Sequence, residues 1–203
     1  MPEQGRPAIF LDKDGTLIPD IPYNIDPERI TLKAGVTQAL ALLARLGSPL
    51  VVVSNQSGVA RGLFSEAALQ GVQLRLAELF ASCGATLAGF YWCPHHPEGV
   101  LPSHAIHCAC RKPAPGLLLQ AAQELGLSLE HSWMVGDTLA DVTAGLRAGC
   151  RSMLITATVS RPVLADDLLY LKAPDLLAAA QCIATARMQD PWRQHRAAAA
   201  PPP

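Results

Sequence analysis

Short apolar runs alternate with amphipathic stretches along most of the chain. Residues 8–11, 49–53, 87–92, 133–135 and 152–155 are apolar runs of strand length. Between them, apolar residues recur at helical spacing. Val36, Leu40, Leu43 and Leu46 predict a helix over 35–46, which Gly47 ends. Ser65 offers a cap for a helix running to about residue 82, with Gly84 beyond its end. Further helices are predicted over 116–125, 139–146 and about 174–188. Strands that are apolar throughout, each followed by a helix, imply a doubly wound, mostly parallel α/β sheet. Ligands of such sheets bind beyond the carboxyl ends of the strands. Polar clusters fall at three of those ends: Asp12 and Asp14 after the first, Ser54 and Asn55 after the second, Asp137 after the fourth.

The length of 203 residues suits one domain with one core. No internal repeat is visible. The segments over 16–35 and between the third strand and its next helix are too short for a separate cap domain. The expectation is a single domain over 1–190, with the Ala/Pro-rich stretch 191–203 as a disordered tail. A net charge of −1 without a basic block gives no electrostatic footprint for nucleic acid. No apolar stretch is long enough to cross a bilayer, and the start has no apolar core of the secretory kind. These features predict a cytoplasmic protein. In a reducing compartment its six cysteines are expected to serve as metal ligands or core residues, not disulfides.

The chemistry starts at Asp12-Lys13-Asp14-Gly15-Thr16. Two carboxylates this close repel, so a cation is the natural means of keeping both ionised. Hard oxygen ligands favour Mg²⁺. Asp137 adds a third carboxylate from another strand end, and Lys112 offers a point charge for a phosphate or a carboxylate. Gly15 allows a sharp turn close to a ligand. The loop over 93–110 carries a second constellation. Cys93-Pro94-His95 and Cys108-Ala109-Cys110 are two close ligand pairs, and three thiolates with one imidazole suit tetrahedral Zn²⁺. His96, His104 and His107 compete with His95 for the fourth place. With every position filled by protein the zinc is structural, and it pins the loop that leads into Arg111 and Lys112. Cys83, Cys150 and Cys182 stand alone and read as core residues.

Asp12-Lys13-Asp14-Gly15-Thr16-Leu17 resembles the first motif of the haloacid-dehalogenase (HAD) phosphatases. Ser54, Lys112 and Gly136-Asp137 with Asp141 resemble the second, third and fourth motifs, in the same order. The resemblance implies a Rossmann-like core and Mg²⁺-dependent phosphomonoester hydrolysis through an aspartyl phosphate. It makes Asp12 the nucleophile, Asp14 the general acid and base, and Ser54 and Lys112 the phosphate-binding groups. Mg²⁺ is then held by Asp12, the backbone carbonyl of Asp14, and Asp137, with Asp141 supporting Lys112 or the metal shell.

The zinc loop, Cys-Pro-His-His-Pro-Glu-Gly then Cys-Ala-Cys-Arg-Lys-Pro, is similar to that of the D-glycero-D-manno-heptose-1,7-bisphosphate 7-phosphatases. So are Pro22-Tyr23-Asn24 and the run from Asn55 to Gly62. That resemblance implies a small sugar bisphosphate as substrate, in the supply of a lipopolysaccharide or S-layer sugar. Asn55, Arg61 and Arg111 become candidates for sugar hydroxyls or the second phosphate. A monomer with no nucleic-acid or membrane partner is expected. Position 13 is Lys where Arg is usual, Ser54 stands for a frequent Thr, and Thr138 occupies a position that is often basic. Histidinol-phosphate phosphatase shares the catalytic motifs and a similar zinc loop. Its cationic substrate calls for acidic groups at the mouth, and Asp20 and Glu98 stand beside Arg61 and Arg111. A polynucleotide 3′-phosphatase is disfavoured by charge. A reading of another class is a catalytically silent, zinc-stabilised module that keeps the phosphate pocket.

Overall fold

In the computed structural model, residues 5–165 and 169–188 are described, so the tail expected over 191–203 lies outside the described residues. The strands are β1 (Ile9–Leu11), β2 (Leu50–Asn55), β3 (Leu87–Cys93), β4 (Trp133–Gly136), β5 (Arg151–Ile155), β6 (Val163–Leu164) and β7 (Leu171–Ala173). The helices are α1 (Val36–Ala44), α2 (Leu69–Ser82), α3 (Gly116–Leu125), α4 (Leu139–Arg147) and α5 (Leu176–Met188). The sheet runs in the order β3-β2-β1-β4-β5-β7-β6, parallel except for the antiparallel pair of β6 and β7.

The apolar runs follow from burial on both faces. In β1, Ile9 and Leu11 pack on one side while Phe10 packs on the other. Leu50 and Val52 against Val51 and Val53, and Trp133 and Val135 against Met134, repeat the alternation in β2 and β4. The first face is covered by Leu40 and Leu43 of α1, Val72 and Leu76 of α2, and Ala180 and Ile183 of α5. The second is covered by Leu118 and Ala121 of α3 and by Ala144 of α4. Gly145 brings α4 close to the sheet: a Cβ there would lie 2.3 Å from Ser152 Oγ and 2.5 Å from Met134 Cβ.

Three details differ from the sequence expectation. Ser65 makes no side-chain cap; the chain enters α2 through a 3-10 turn, Glu66–Ala68, which already carries the first turn. The second strand continues past Val53 through Ser54 and Asn55, because their backbones still pair with Trp92 and Cys93. The short strands β6 and β7 extend the sheet beyond the five expected.

With β1 central and β2 and β4 beside it, the loops after these strands open on the same edge of the sheet. Asp12, Ser54 and Asp137 therefore converge although the chain separates them widely.

Candidate active site

Asp12 follows the last residue of β1, and its N–H donates to the Val135 carbonyl at 2.9 Å. The side chain is buried. Lys112, also buried, reaches it from the loop before α3: its Nζ lies 2.5 Å from Asp12 Oδ1, 2.6 Å from Asp141 Oδ1, and donates to the Val53 carbonyl at 2.8 Å. All three protons of the ammonium are thus directed. Burial alone would lower the Lys112 pKa, but Asp12 and Asp141 outweigh it and raise it, so the ammonium stays charged. Burial pushes the Asp12 carboxyl up to about 7, against the pull of Lys112 and with a further rise from Asp141.

Asn55 anchors the lysine from below. Its Oδ1 accepts from the Lys112 N–H at 3.0 Å and its Nδ2 donates to the Lys112 carbonyl at 3.1 Å. Both ends of this amide are committed to the backbone of Lys112, which places Asn55 as a holder of the lysine. Asp141 is fixed as firmly. Thr138 and Asp141 form a capping box at the start of α4, and Thr138 Oγ1 donates to Asp141 Oδ2 at 2.6 Å. One carboxylate therefore caps a helix with Oδ2 and holds Lys112 with Oδ1.

Asp14 is turned to the other side of the loop. Lys13 Nζ donates to its Oδ1 at 2.6 Å and Gln56 Nε2 to its Oδ2 at 3.1 Å. Ser54 Oγ accepts from the same Gln56 nitrogen at 2.7 Å. Gly15 has φ +83°, and a Cβ there would lie 2.0 Å from Asp137 Oδ2, so only glycine lets this turn press against Asp137. Thr16 Oγ1 donates to Asp137 Oδ1 at 3.2 Å, and Lys33 Nζ donates to the Gly15 carbonyl. Burial, followed by the charge of Asp141, raises the Asp137 pKa.

Carboxylate oxygens of Asp12, Asp137 and Asp141 lie within 4.8 Å of one another. Asp141 is already held by Lys112 and Thr138, which leaves Asp12 and Asp137 as the pair best placed for a hard dication. The buried Asp12 and the half-buried Asp137, both with raised pKa values, stand against a turn that admits no Cβ and form a cradle that fits Mg²⁺.

The second cluster brings Cys93, His95, Cys108 and Cys110 together. Sulfur–sulfur separations are 3.1 Å for Cys93–Cys110, 3.3 Å for Cys108–Cys110 and 3.5 Å for Cys93–Cys108. His95 Nδ1 stands 3.4 Å from Cys110 Sγ and 3.7 Å from Cys93 Sγ. Zinc–sulfur bonds of about 2.3 Å give tetrahedral edges of about 3.8 Å, so these four atoms could hold zinc after a small expansion. His104 stacks on His95 at 5.7 Å, while His96 faces Arg61 at 3.5 Å. The loop is stitched to the segment after β2: Gln56 donates to the Cys93 carbonyl, Ala60 to the Pro94 carbonyl, and Val100 and Leu101 donate back to the Ala60 carbonyl.

Arg111 Nη1 donates to the His95 carbonyl at 3.2 Å, and Arg61 Nη2 lies 3.5 Å from His96 Nε2. Arg61 Nε is buried with no hydrogen-bond partner. Burial first, then the charges of Arg111 and Arg61, lower the pKa of His96. The His95–His96 segment thus carries two guanidiniums, a pair that can receive an anion.

Residues 109–180 match a family model described as HAD-hydrolase-like. The D-glycero-beta-D-manno-heptose-1,7-bisphosphate 7-phosphatase of Yersinia pestis is 40% identical over 163 residues, covering 80% of this chain and 86% of that protein. This chain is a phosphatase of the haloacid-dehalogenase superfamily. The correspondingly named enzyme of Escherichia coli K12 is 40% identical over 152 residues, covering 75% of this chain and 80% of that protein. Among solved structures, the D,D-heptose 1,7-bisphosphate phosphatase of B. bronchiseptica, complexed with magnesium and phosphate, has a TM-score of 0.74 at 30% identity. It covers 89% of this chain and 99% of its own.

In this HAD phosphatase the aspartates, serine and lysine singled out from the sequence gather at one strand edge. Several neighbours had no role assigned from the sequence. Lys13 is 1% exposed although lysine is rarely buried, and no periodicity marks it. Lys33 comes from the segment before α1 and braces the Gly15 turn. Thr138, notable in the sequence only as a departure, is explained by the capping box with Asp141. Gln56 lay within the noted run after β2 but carried no distinguishing chemistry there.

Proposed function

We propose that this phosphatase removes the 7-phosphate of D-glycero-D-manno-heptose 1,7-bisphosphate through an aspartyl phosphate on Asp12. The observation that carries the catalytic reading is the buried Asp12, held at Oδ1 by a lysine that Asn55, Val53 and Asp141 fix in place. The substrate reading is supported by the names of the relatives and by the guanidiniums of Arg61 and Arg111, which suit a second phosphate.

An oxygen of Asp12 forms a bond to phosphorus as the ester bond to the sugar oxygen breaks. Asp14 gives its proton to the departing alkoxide, then takes one from the water that attacks the aspartyl phosphate. That second displacement restores Asp12 and frees inorganic phosphate. Ser54 donates to a phosphoryl oxygen, the Lys112 ammonium stabilises the phosphoryl group by its charge, and Asn55 acts through Lys112. Asp12, Asp137 and the backbone carbonyl of Asp14 would hold Mg²⁺, which when bound neutralises charge on the transferring group and between the carboxylates.

Zn²⁺ on Cys93, His95, Cys108 and Cys110 plays a structural part: it holds the loop that delivers Arg111 and Lys112. The free thiols suit a reducing cytoplasm, and no helix among the described residues is long and apolar enough to cross a membrane.

The test ranks kcat/KM for heptose 1,7-bisphosphate, histidinol phosphate and simple sugar phosphates. The bisphosphate should lead, and replacing Arg61 or Arg111 with Ala should cut its kcat/KM by about tenfold or more, the loss of one charged hydrogen bond. Monophosphates should suffer less. Histidinol phosphate in first place would overturn the substrate reading, and an active Asp12→Asn variant would overturn the mechanism.

A further inference from the structure

One amide nitrogen lies between the two groups that must act together on a phosphate ester. Gln56 is fixed in the loop after β2: its N–H donates to the Cys93 carbonyl at 2.8 Å, and its side chain is buried. Its Nε2 donates to Ser54 Oγ at 2.7 Å and to Asp14 Oδ2 at 3.1 Å. The amide presents its NH₂ end, Nε2, to Asp14 Oδ2, which accepts from it. Both N–H bonds are then committed.

Two consequences follow from donor counting. The Ser54 hydroxyl has one proton, and it already accepts from Gln56, so that proton is free to point at a phosphoryl oxygen. Asp14 is gripped at both oxygens, by Gln56 at Oδ2 and by Lys13 at Oδ1. Without these contacts a partly exposed aspartate would sample several rotamers at little cost. We propose that Gln56 is a positioning residue for proton transfer, aligning the Asp14 carboxyl and the Ser54 hydroxyl on one ester. This rests on the reading of Asp14 as the acid and base.

The leaving group separates proton transfer from mere packing. An alkoxide needs a proton to depart; p-nitrophenolate does not. The ratio kcat/KM covers events up to that departure. It is compared for p-nitrophenyl phosphate and for the best alkyl phosphate of the substrate ranking, with the Mg²⁺-loaded, zinc-containing enzyme. Gln56→Met keeps the length and removes both donors. General acids contribute about 10²- to 10⁴-fold, so a misaligned one should cost about tenfold more on the alkyl than on the aryl ester. Asp14→Asn should show the same asymmetry more strongly, while Ser54→Ala should lose equally on both. Equal losses for Gln56→Met, or none, overturn the proposal while a normal Asp14→Asn result leaves the acid–base reading intact. A symmetric Asp14→Asn result overturns that reading and the proposal with it. If Gln56→Met melts several degrees below the parent, Gln56→Glu, which has the same shape and no N–H donor when ionised, carries the same comparison.

Discussion

Asp12 illustrates how burial and charge set the terms for a nucleophile. In the folded protein its carboxyl is raised from 3.8 to about 7, chiefly by burial and despite Lys112. A raised acid favours the protonated fold. That contribution is fully present below about pH 4 and is lost as pH rises through about 7. Above that pH the metal-free protein carries a buried charge that a dication would relieve; below it a proton competes for the same oxygens. The rise in melting temperature on adding saturating Mg²⁺ should therefore be larger at about pH 8 than at about pH 5.5. Differential scanning fluorimetry across that range reads it directly. A rise that is the same at both pH values would place Asp12 outside the metal site.

Helix α4 joins catalysis to the sheet, and its packing is tight. At Gly145 an added methyl would gain about 1 kcal/mol of helix propensity. It would also meet Met134 Cβ at 2.5 Å, an atom next to the backbone that has no easy retreat. Overpacking of this kind costs about 1–3 kcal/mol, so the balance is unfavourable. Gly145→Ala should lower stability in urea unfolding by up to about 2 kcal/mol net of the helix gain. A more stable variant would mean that α4 shifts freely on the sheet. Elements of this kind were legible in the sequence because burial on both faces demands uninterrupted apolar runs, and β1, β2 and β4 have them. The strands β6 and β7 were not, because β6 is two residues long and Lys172 interrupts the apolar run of β7. The site divides similarly. Acidic and cysteine clusters are conspicuous because like groups crowd only for a reason. Gln56, Lys13 and Lys33 are ordinary residue types whose meaning comes from partners such as Asp14 and Gly15, and most of these contacts depend on the folded loops.

Across the whole molecule the Cys/His loop and the candidate active site are joined directly. Cys110 precedes Arg111 and Lys112 directly, and the loop's backbone is bonded to the segment carrying Gln56 and Ala60. Replacing Cys108 with Ser should lower bound zinc, measured by atomic emission, together with kcat, because the lysine loses its anchor. The Mg²⁺ dependence should change little, since Asp12 and Asp137 follow β1 and β4, away from the Cys/His loop. Full activity in a protein shown to be zinc-free would detach the two sites. The order of the sheet has a different consequence, for how the chain is made. β1 emerges first yet needs β4, more than a hundred residues later, to cover its second edge. Until then a growing polypeptide presents an unpaired apolar ladder, an invitation to stick to other chains. Any fragment ending before Trp133 should be inactive and poorly soluble on its own, and co-expressing the missing C-terminal piece should offer the rescue.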